Sequence, residues 1–317
     1  MTRNTDHEVH EHDRGLGYDL RTMVSRRRAL FFLGAAAGTT ALAACSSDPS
    51  SSAATSSSNS TSATAASDGT TCVAATPQET AGPYPGDGSN GPNVLIESGI
   101  VRQDITSSFN SYSGTADGVP TTIQLTLQDL ASDCGPGAGM AVYLWHCNRD
   151  GKYSMYDVAD QNYLRGVQVA DASGIVTFSS IFPACYSGRW PHIHFEVFDS
   201  LESAVAGDNA RLTSQIAVPQ DACTTVFDYD DGYAKSISNL SQSSMASDNV
   251  FGDGWDAELA TATGTPQSGM KLAITIGVAE KSQNTAAPSA GGSGGGTPPA
   301  NGSGGGTPPA GGPGGGR

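Results

Sequence analysis

The chain has 317 residues, of which only 15% are charged and 40 are glycine. That composition suits a loop-rich β protein better than a helical bundle. The formal net charge of -15 speaks against a partner held through phosphates, because an acidic surface repels nucleic acid and anionic lipid.

In chain order, the first feature is an address. Residues 1–24 are polar and of mixed charge, Ser25-Arg26-Arg27-Arg28 follows, and residues 29–44 are apolar. A charged stretch ahead of a short apolar one is the order of an export signal, and the arginines resemble a twin-arginine signal. The run ends in Leu42-Ala43-Ala44-Cys45, which resembles a lipobox with Cys45 as the acylated residue. Residues 1–45 are therefore expected to be a lipoprotein signal peptide. The protein is then exported, periplasmic or at the cell surface, and meets the membrane only through its lipid. Residues 46–71, almost all Ser, Ala and Thr, bury too little apolar surface to fold and read as a disordered linker. Residues 283–317 carry Gly-Gly-Gly-Thr-Pro-Pro-Ala twice and read as a disordered tail. Residues 72–282 remain, enough for one domain with a sizeable core.

Within that domain, residues 121–127 alternate polar and apolar side chains, the period of a half-buried strand. Residues 140–145 form a mostly apolar run behind the turn residues Gly135-Pro136-Gly137. Residues 166–169 and 175–178 flank Asp171-Ala172-Ser173-Gly174, which predicts a hairpin. Residues 193–198 and 272–278 read as further strands, and the best helical stretch is 226–240. Short strands at this spacing predict a mainly β protein, a β-sandwich with long loops flanked by disordered segments.

The chain has six cysteines. With Cys45 lipidated, Cys72, Cys134, Cys147, Cys185 and Cys223 remain. Outside the cytoplasm they allow at most two disulfides, and the sequence leaves the pairing open. No C-x-x-C spacing points to zinc.

The densest chemistry lies in Tyr186-Ser187-Gly188-Arg189-Trp190-Pro191-His192-Ile193-His194. Alternate strand residues share a face, so His192 and His194 point the same way and can ligate one metal. Upstream, a strand runs through Trp145-His146-Cys147 into the polar turn Asn148-Arg149-Asp150-Gly151-Lys152, and Tyr153 follows it.

Together these segments resemble the intradiol ring-cleavage dioxygenases, the family of catechol and protocatechuate 3,4-dioxygenases, and most closely their exported branch. The resemblance extends from Cys72 to Val197. It includes Thr80-Ala81-Gly82-Pro83-Tyr84, Arg102-Gln103-Asp104-Ile105, Tyr163-Leu164-Arg165-Gly166 and Ile181-Phe182-Pro183. It implies iron(III) held by Tyr153, Tyr186, His192 and His194, a catechol-type small molecule and O2 as substrates, and cis,cis-muconate-type products. It also implies that Tyr186 gives way to the substrate and accepts one of its protons, and that Arg189 stabilises developing negative charge. Hard, highly charged iron(III) favours anionic oxygen and tolerates imidazole, in keeping with that set. Three departures stand out. His146 stands where members often have Gln, Ala81 where they often have Glu, and no long helical dimerisation segment precedes the domain, so the oligomeric state stays open. Tyr84, Trp190 and residues 105–112 are expected as pocket walls, which leaves the particular catechol undetermined. A competing reading is a non-catalytic cell-surface β-sandwich that binds aromatic or polysaccharide ligands. Another is a copper or zinc enzyme using His192 and His194 with His146 or Glu196.

Overall fold

A computed structural model of the protein describes residues 71–283, apart from Asp208. The expected signal peptide with Cys45, and nearly all of the linker and tail, lie outside the described residues. No helix among those residues is long and apolar enough to cross a membrane.

Alternation sets the first sheet. Strand β1 (Pro120–Asp129) buries Thr121, Ile123, Leu125 and Leu127 and leaves Thr122, Gln124 and Thr126 half-exposed. Along one edge it pairs in parallel with β9 (Gly269–Val278). The other edge is shared by β5 (Ile175–Ile181) and the two-residue β2 (Gly135–Pro136), both antiparallel. Strand β8 (Thr261–Thr265) adds to the far side of β9. The second sheet is antiparallel in the order β4 (Arg165–Val169), β3 (Ala141–Trp145), β6 (His192–Phe198) and β7 (Leu212–Ala217). Ile123, Leu125, Leu127 and Phe178 of the first sheet join Val142, Leu144, Ile193, Phe195 and Val197 of the second in one apolar cluster. This is the expected β-sandwich.

Two local expectations are corrected. Residues 166–169 and 175–178 do not form a hairpin: β4 pairs with β3 and β5 with β1, in different sheets. The turn does reverse the chain, with Gly174 N–H donating to the Asp171 carbonyl at 3.0 Å, but a turn does not choose the strand's partner. Helix 226–240 is broken into α2 (Gln220–Tyr229), a 3-10 turn (Asp231–Tyr233) and α3 (Ala234–Leu240). The Asp230 side chain accepts from Gly232 N–H at 2.8 Å, a local bond that competes with helix continuation. A short helix α1 (Leu201–Ala206), capped by Ser200, was not expected.

Cys72 and Cys134 form a disulfide, pinning the start of the domain beside β2. Cys147, Cys185 and Cys223 are buried free thiols. Burial pushes Cys147 and Cys185 up to about 12 and Cys223 well above its ordinary value, so all three stay protonated and unreactive.

The second sheet places the chemistry. Its strands β3, β6 and β7 are buried at every position, so both faces are covered. The inner face meets the core. The outer face carries Tyr143 and Trp145 opposite Glu196 and His194, which in turn lie opposite Thr213 and Gln215. A strap from the start of the domain covers it. Glu79 N–H donates to the Thr213 carbonyl at 2.7 Å, the Gln215 amide to the Thr80 carbonyl at 2.9 Å, and Tyr143 Oη to the Pro85 carbonyl at 2.6 Å.

Candidate metal centre

His192 and His194 project from the outer face of β6 and are almost wholly buried. His192 Nδ1 lies 2.6 Å from the Trp190 carbonyl and therefore carries the proton. That leaves the Nε2 lone pair free to point away from the strand. The His194 ring lies flat on Trp145, with centroids 5.0 Å apart and planes 5° apart. Its Nδ1 is buried without a partner among the described residues.

Tyr153 arrives from the loop after β3. Asn148 shapes that loop, its side-chain oxygen accepting from Asp150 and Lys152 N–H at 3.0 Å each. Asp157 then holds Tyr153 N–H at 2.9 Å. Gly151 lets this turn press against the second tyrosine: a Cβ at Gly151 would stand 3.0 Å from Tyr186 Cβ. Tyr186 follows β5 on a loop held from α3. Ser236 accepts from Cys185 N–H at 3.0 Å, and Asn239 donates to the Cys185 carbonyl at 2.8 Å. Tyr153 is buried and Tyr186 half-buried.

The four side chains meet atom to atom. Tyr153 Oη lies 3.4 Å from Tyr186 Oη and 3.2 Å from His194 Nε2. Tyr186 Oη lies 3.1 Å from His192 Nε2, and the two histidine Nε2 atoms are 3.1 Å apart. Two oxygens and two nitrogens thus form a closed ring. Four ligands held ~2.0–2.1 Å from one ion at near-tetrahedral angles would be ~3.3 Å apart, so the ring has the size of a coordination shell. Elsewhere among the described residues, no three His, Cys, Asp or Glu side chains converge to hold a metal; here half of the donors are phenols. Burial raises Tyr153 well above the ordinary tyrosine value and Tyr186 to about 12, with nearby Arg189 offsetting part of the latter. Burial, with Arg189 nearby, also holds both histidines well below theirs. Without a cation all four groups are neutral, and a bound cation would reverse the balance for the phenols.

Arg189 stands at the edge of this ring, with Nη1 3.4 Å from His192 Nε2. Asp248 holds it through Nε–Oδ2 at 3.0 Å and Nη2–Oδ1 at 3.2 Å, and Gln215 Oε1 accepts from Nη2 at 2.7 Å. Burial opposes the arginine's charge, but Tyr186 and Asp248 outweigh it and raise its pKa further. Asp248 and Gln215 escape a reading by motif. They lie 59 and 26 residues from Arg189, and neither sits in a pattern that marks it.

Other expected residues lie elsewhere. His146 is buried outside the ring, with Nδ1 2.8 Å from the Cys147 carbonyl and Nε2 2.7 Å from Ser180 Oγ. Glu196 bonds Thr213 Oγ1 at 3.1 Å. Trp190 is no pocket wall. Its ring fills a small core with Val250 and Phe251, and Nε1 donates to the Val218 carbonyl at 2.9 Å. Ile105 is wholly buried against Gly166, and Phe109 lies 4.3 Å from the Arg102 guanidinium. Tyr84 does stand at the site, its ring 5.0 Å from that of Tyr153.

Residues 90–228 match the family model Dioxygenase_C, described as dioxygenase. That segment, 139 of the chain's 317 residues, is similar to the intradiol ring-cleavage dioxygenases. Two solved dioxygenases share its fold. The intradiol ring-cleavage dioxygenase of Tetranychus urticae is 23% identical, with 65% of this chain and 95% of that one covered and a TM-score of 0.51. The dioxygenase Tetur07g02040 is 23% identical, with 66% and 95% covered and a TM-score of 0.52. No curated protein matches the chain. The family segment spans Tyr153, Tyr186, Arg189, His192 and His194 and ends before Asp248, so the carboxylate that holds Arg189 comes from outside it.

Proposed function

We propose that the protein is a non-haem iron(III) dioxygenase that cleaves catechol-type rings between the two hydroxylated carbons, using O2 and yielding cis,cis-muconate-type products. The closed ring of Tyr153, Tyr186, His192 and His194, with neighbours 3.1–3.4 Å apart, carries this reading. These four residues would hold the ion. When bound, iron(III) would supply a hard Lewis acid that stabilises anionic catechol oxygen and activates the ring toward dioxygen.

The chain's own residues divide the remaining work. Buried Tyr153 and the two strand histidines are the fixed donors. Tyr186 sits half-buried on a loop, so it is the phenol with freedom to swing away and accept a proton from the incoming hydroxyl. Arg189, oriented by Asp248 and Gln215, presents fixed positive charge where the reacting oxygens become negative. Tyr84 offers an aromatic wall beside Tyr153.

Export as a lipoprotein anchored at Cys45 belongs to the same proposal. The Cys72–Cys134 disulfide supports it, since such bonds persist in oxidising compartments. A Cys45→Ala chain recovered in the membrane fraction as fully as wild type would refute the anchor.

The test of activity is direct. The iron-loaded protein should show a broad visible charge-transfer band. Catechol added under air should shift that band and consume dioxygen while a muconate appears. A colourless protein that takes up no iron would overturn the reading.

A further inference from the structure

Arg165, at the start of β4, is 1% exposed. A guanidinium has five N–H donors, and here each of them has a partner. Nε donates to Ser154 Oγ at 3.0 Å. Nη1 donates to the Pro85 carbonyl at 2.8 Å and to Tyr143 Oη at 3.0 Å. Nη2 donates to the Tyr84 and Ser154 carbonyls, both at 3.0 Å. All five acceptors are neutral oxygens, and among the described residues no carboxylate pairs with this charge. Burying a cation is costly unless its hydrogen bonds are satisfied. Here the cost is met by acceptors from three chain segments: the strap at 84–85, strand β3, and the loop that carries Tyr153.

What those segments carry gives the contact its meaning. Ser154 is the residue next to Tyr153. Tyr84 packs its ring on Tyr153 and on Tyr156, with centroids 5.0 Å apart in both cases. Tyr156 Oη in turn accepts from Gly86 N–H at 3.0 Å and donates to Asn90 at 2.6 Å. The same strap crosses His194 at Gly82, where an added Cβ would stand 3.2 Å from the imidazole Cε1.

We propose that Arg165 is a positioning residue that locks the Tyr84–Pro85 strap and the Tyr153 loop into one rigid wall, and that catechol affinity depends on that wall. The inference rests on the proposed function for its substrate. Its mechanical part does not, because none of the Arg165 contacts involves a side chain of the proposed ligand set.

The experiment compares wild type with Arg165→Lys, which keeps the charge but offers three donors in place of five. Tyr143→Phe, which removes one acceptor, serves as a second variant should the lysine fail to fold. Amide exchange in the metal-free protein should speed up at Gly86 and Val94, whose N–H groups bond Tyr156 Oη and the Gly86 carbonyl. The increase should be at least about tenfold, the equivalent of one hydrogen bond to a charged group. Exchange at Ile123 and Leu125, in the β1–β9 ladder, should not change. In the iron-loaded protein, KM for catechol should rise about tenfold while kcat stays within about twofold, because a wall acts on binding rather than chemistry. Unchanged strap exchange would overturn the proposal. So would a uniform rise across the domain, the mark of a merely structural residue, or faster strap exchange with an unaltered KM. If wild type shows no oxygen uptake, the functional reading fails, and the exchange contrast alone decides whether the clamp exists.

Discussion

Asp248→Asn isolates the role assigned to Arg189 without touching a metal donor. Each carboxylate oxygen of Asp248 accepts from the arginine and from the backbone. Oδ2 takes Arg189 Nε at 3.0 Å and Trp190 N–H at 2.6 Å, while Oδ1 takes Arg189 Nη2 at 3.2 Å and Val250 N–H at 2.9 Å. An amide has one oxygen, so either orientation turns its NH2 toward one arginine donor and one backbone donor. The side chains are 15% and 1% exposed, so the pair counts as buried. Removing one charge from such a pair costs about 3–5 kcal/mol. Part of that strain can be relieved by Arg189 turning away toward solvent, which moves its charge from the site. Stability should then fall by less than that range, and kcat should drop by about a hundredfold, the effect of losing one preorganised electrostatic donor. The assay pairs urea unfolding with oxygen uptake on catechol at equal iron content. A folded Asp248→Asn protein with wild-type kcat would refute the argument. Loss of iron would instead show that Asp248 acts through the ligand set.

Three further outcomes are expected. Tyr153→Phe removes one vertex of the donor ring and should weaken iron binding and shift the visible band; an unaltered spectrum would exclude Tyr153 as a ligand. Gly82→Ala forces a side chain into φ +70°, with its Cβ 3.2 Å from His194 Cε1. Thermal melts should show a loss of about 2–4 °C for each kcal/mol of this strain, which is about 1–2 kcal/mol, and iron titration should show weaker uptake. Glu258, wholly buried, has its carboxyl pushed up to about 8 by burial and by Glu79. Its folded pKa lies above the unfolded 4.5, so its contribution to stability is intact below pH 4.5 and is lost as pH rises through 8. Glu258→Gln should therefore melt above wild type at pH 8, with the gap closing at pH 4.5. A constant gap across that range would show that the carboxyl does not titrate there.

Much of this protein is legible in short stretches of chain. The alternation at 121–127 is a property of the strand itself, and it appears as the buried Ile123, Leu125 and Leu127 of β1. The two histidines of β6 share a face because a strand repeats every second residue. Tyr153 and Tyr186 could be picked out only by family pattern, since a tyrosine after a turn has no periodicity that marks it. Other features depend on contacts between distant residues. The turn at 171–174 was visible, but whether β4 and β5 would pair was settled by the sheets that receive them. Asp248 reaches Arg189 across 59 residues, and Arg165 reaches Tyr84 across 81. Such pairings arise when buried donors must find acceptors. By itself the sequence determined most of the strands, though not β7 or β8, the shared face of His192 and His194, and the candidate ligands. Only the tertiary structure decided which residues hold those ligands in place, because burial makes each unmet hydrogen bond costly and so selects partners by position in space rather than along the chain.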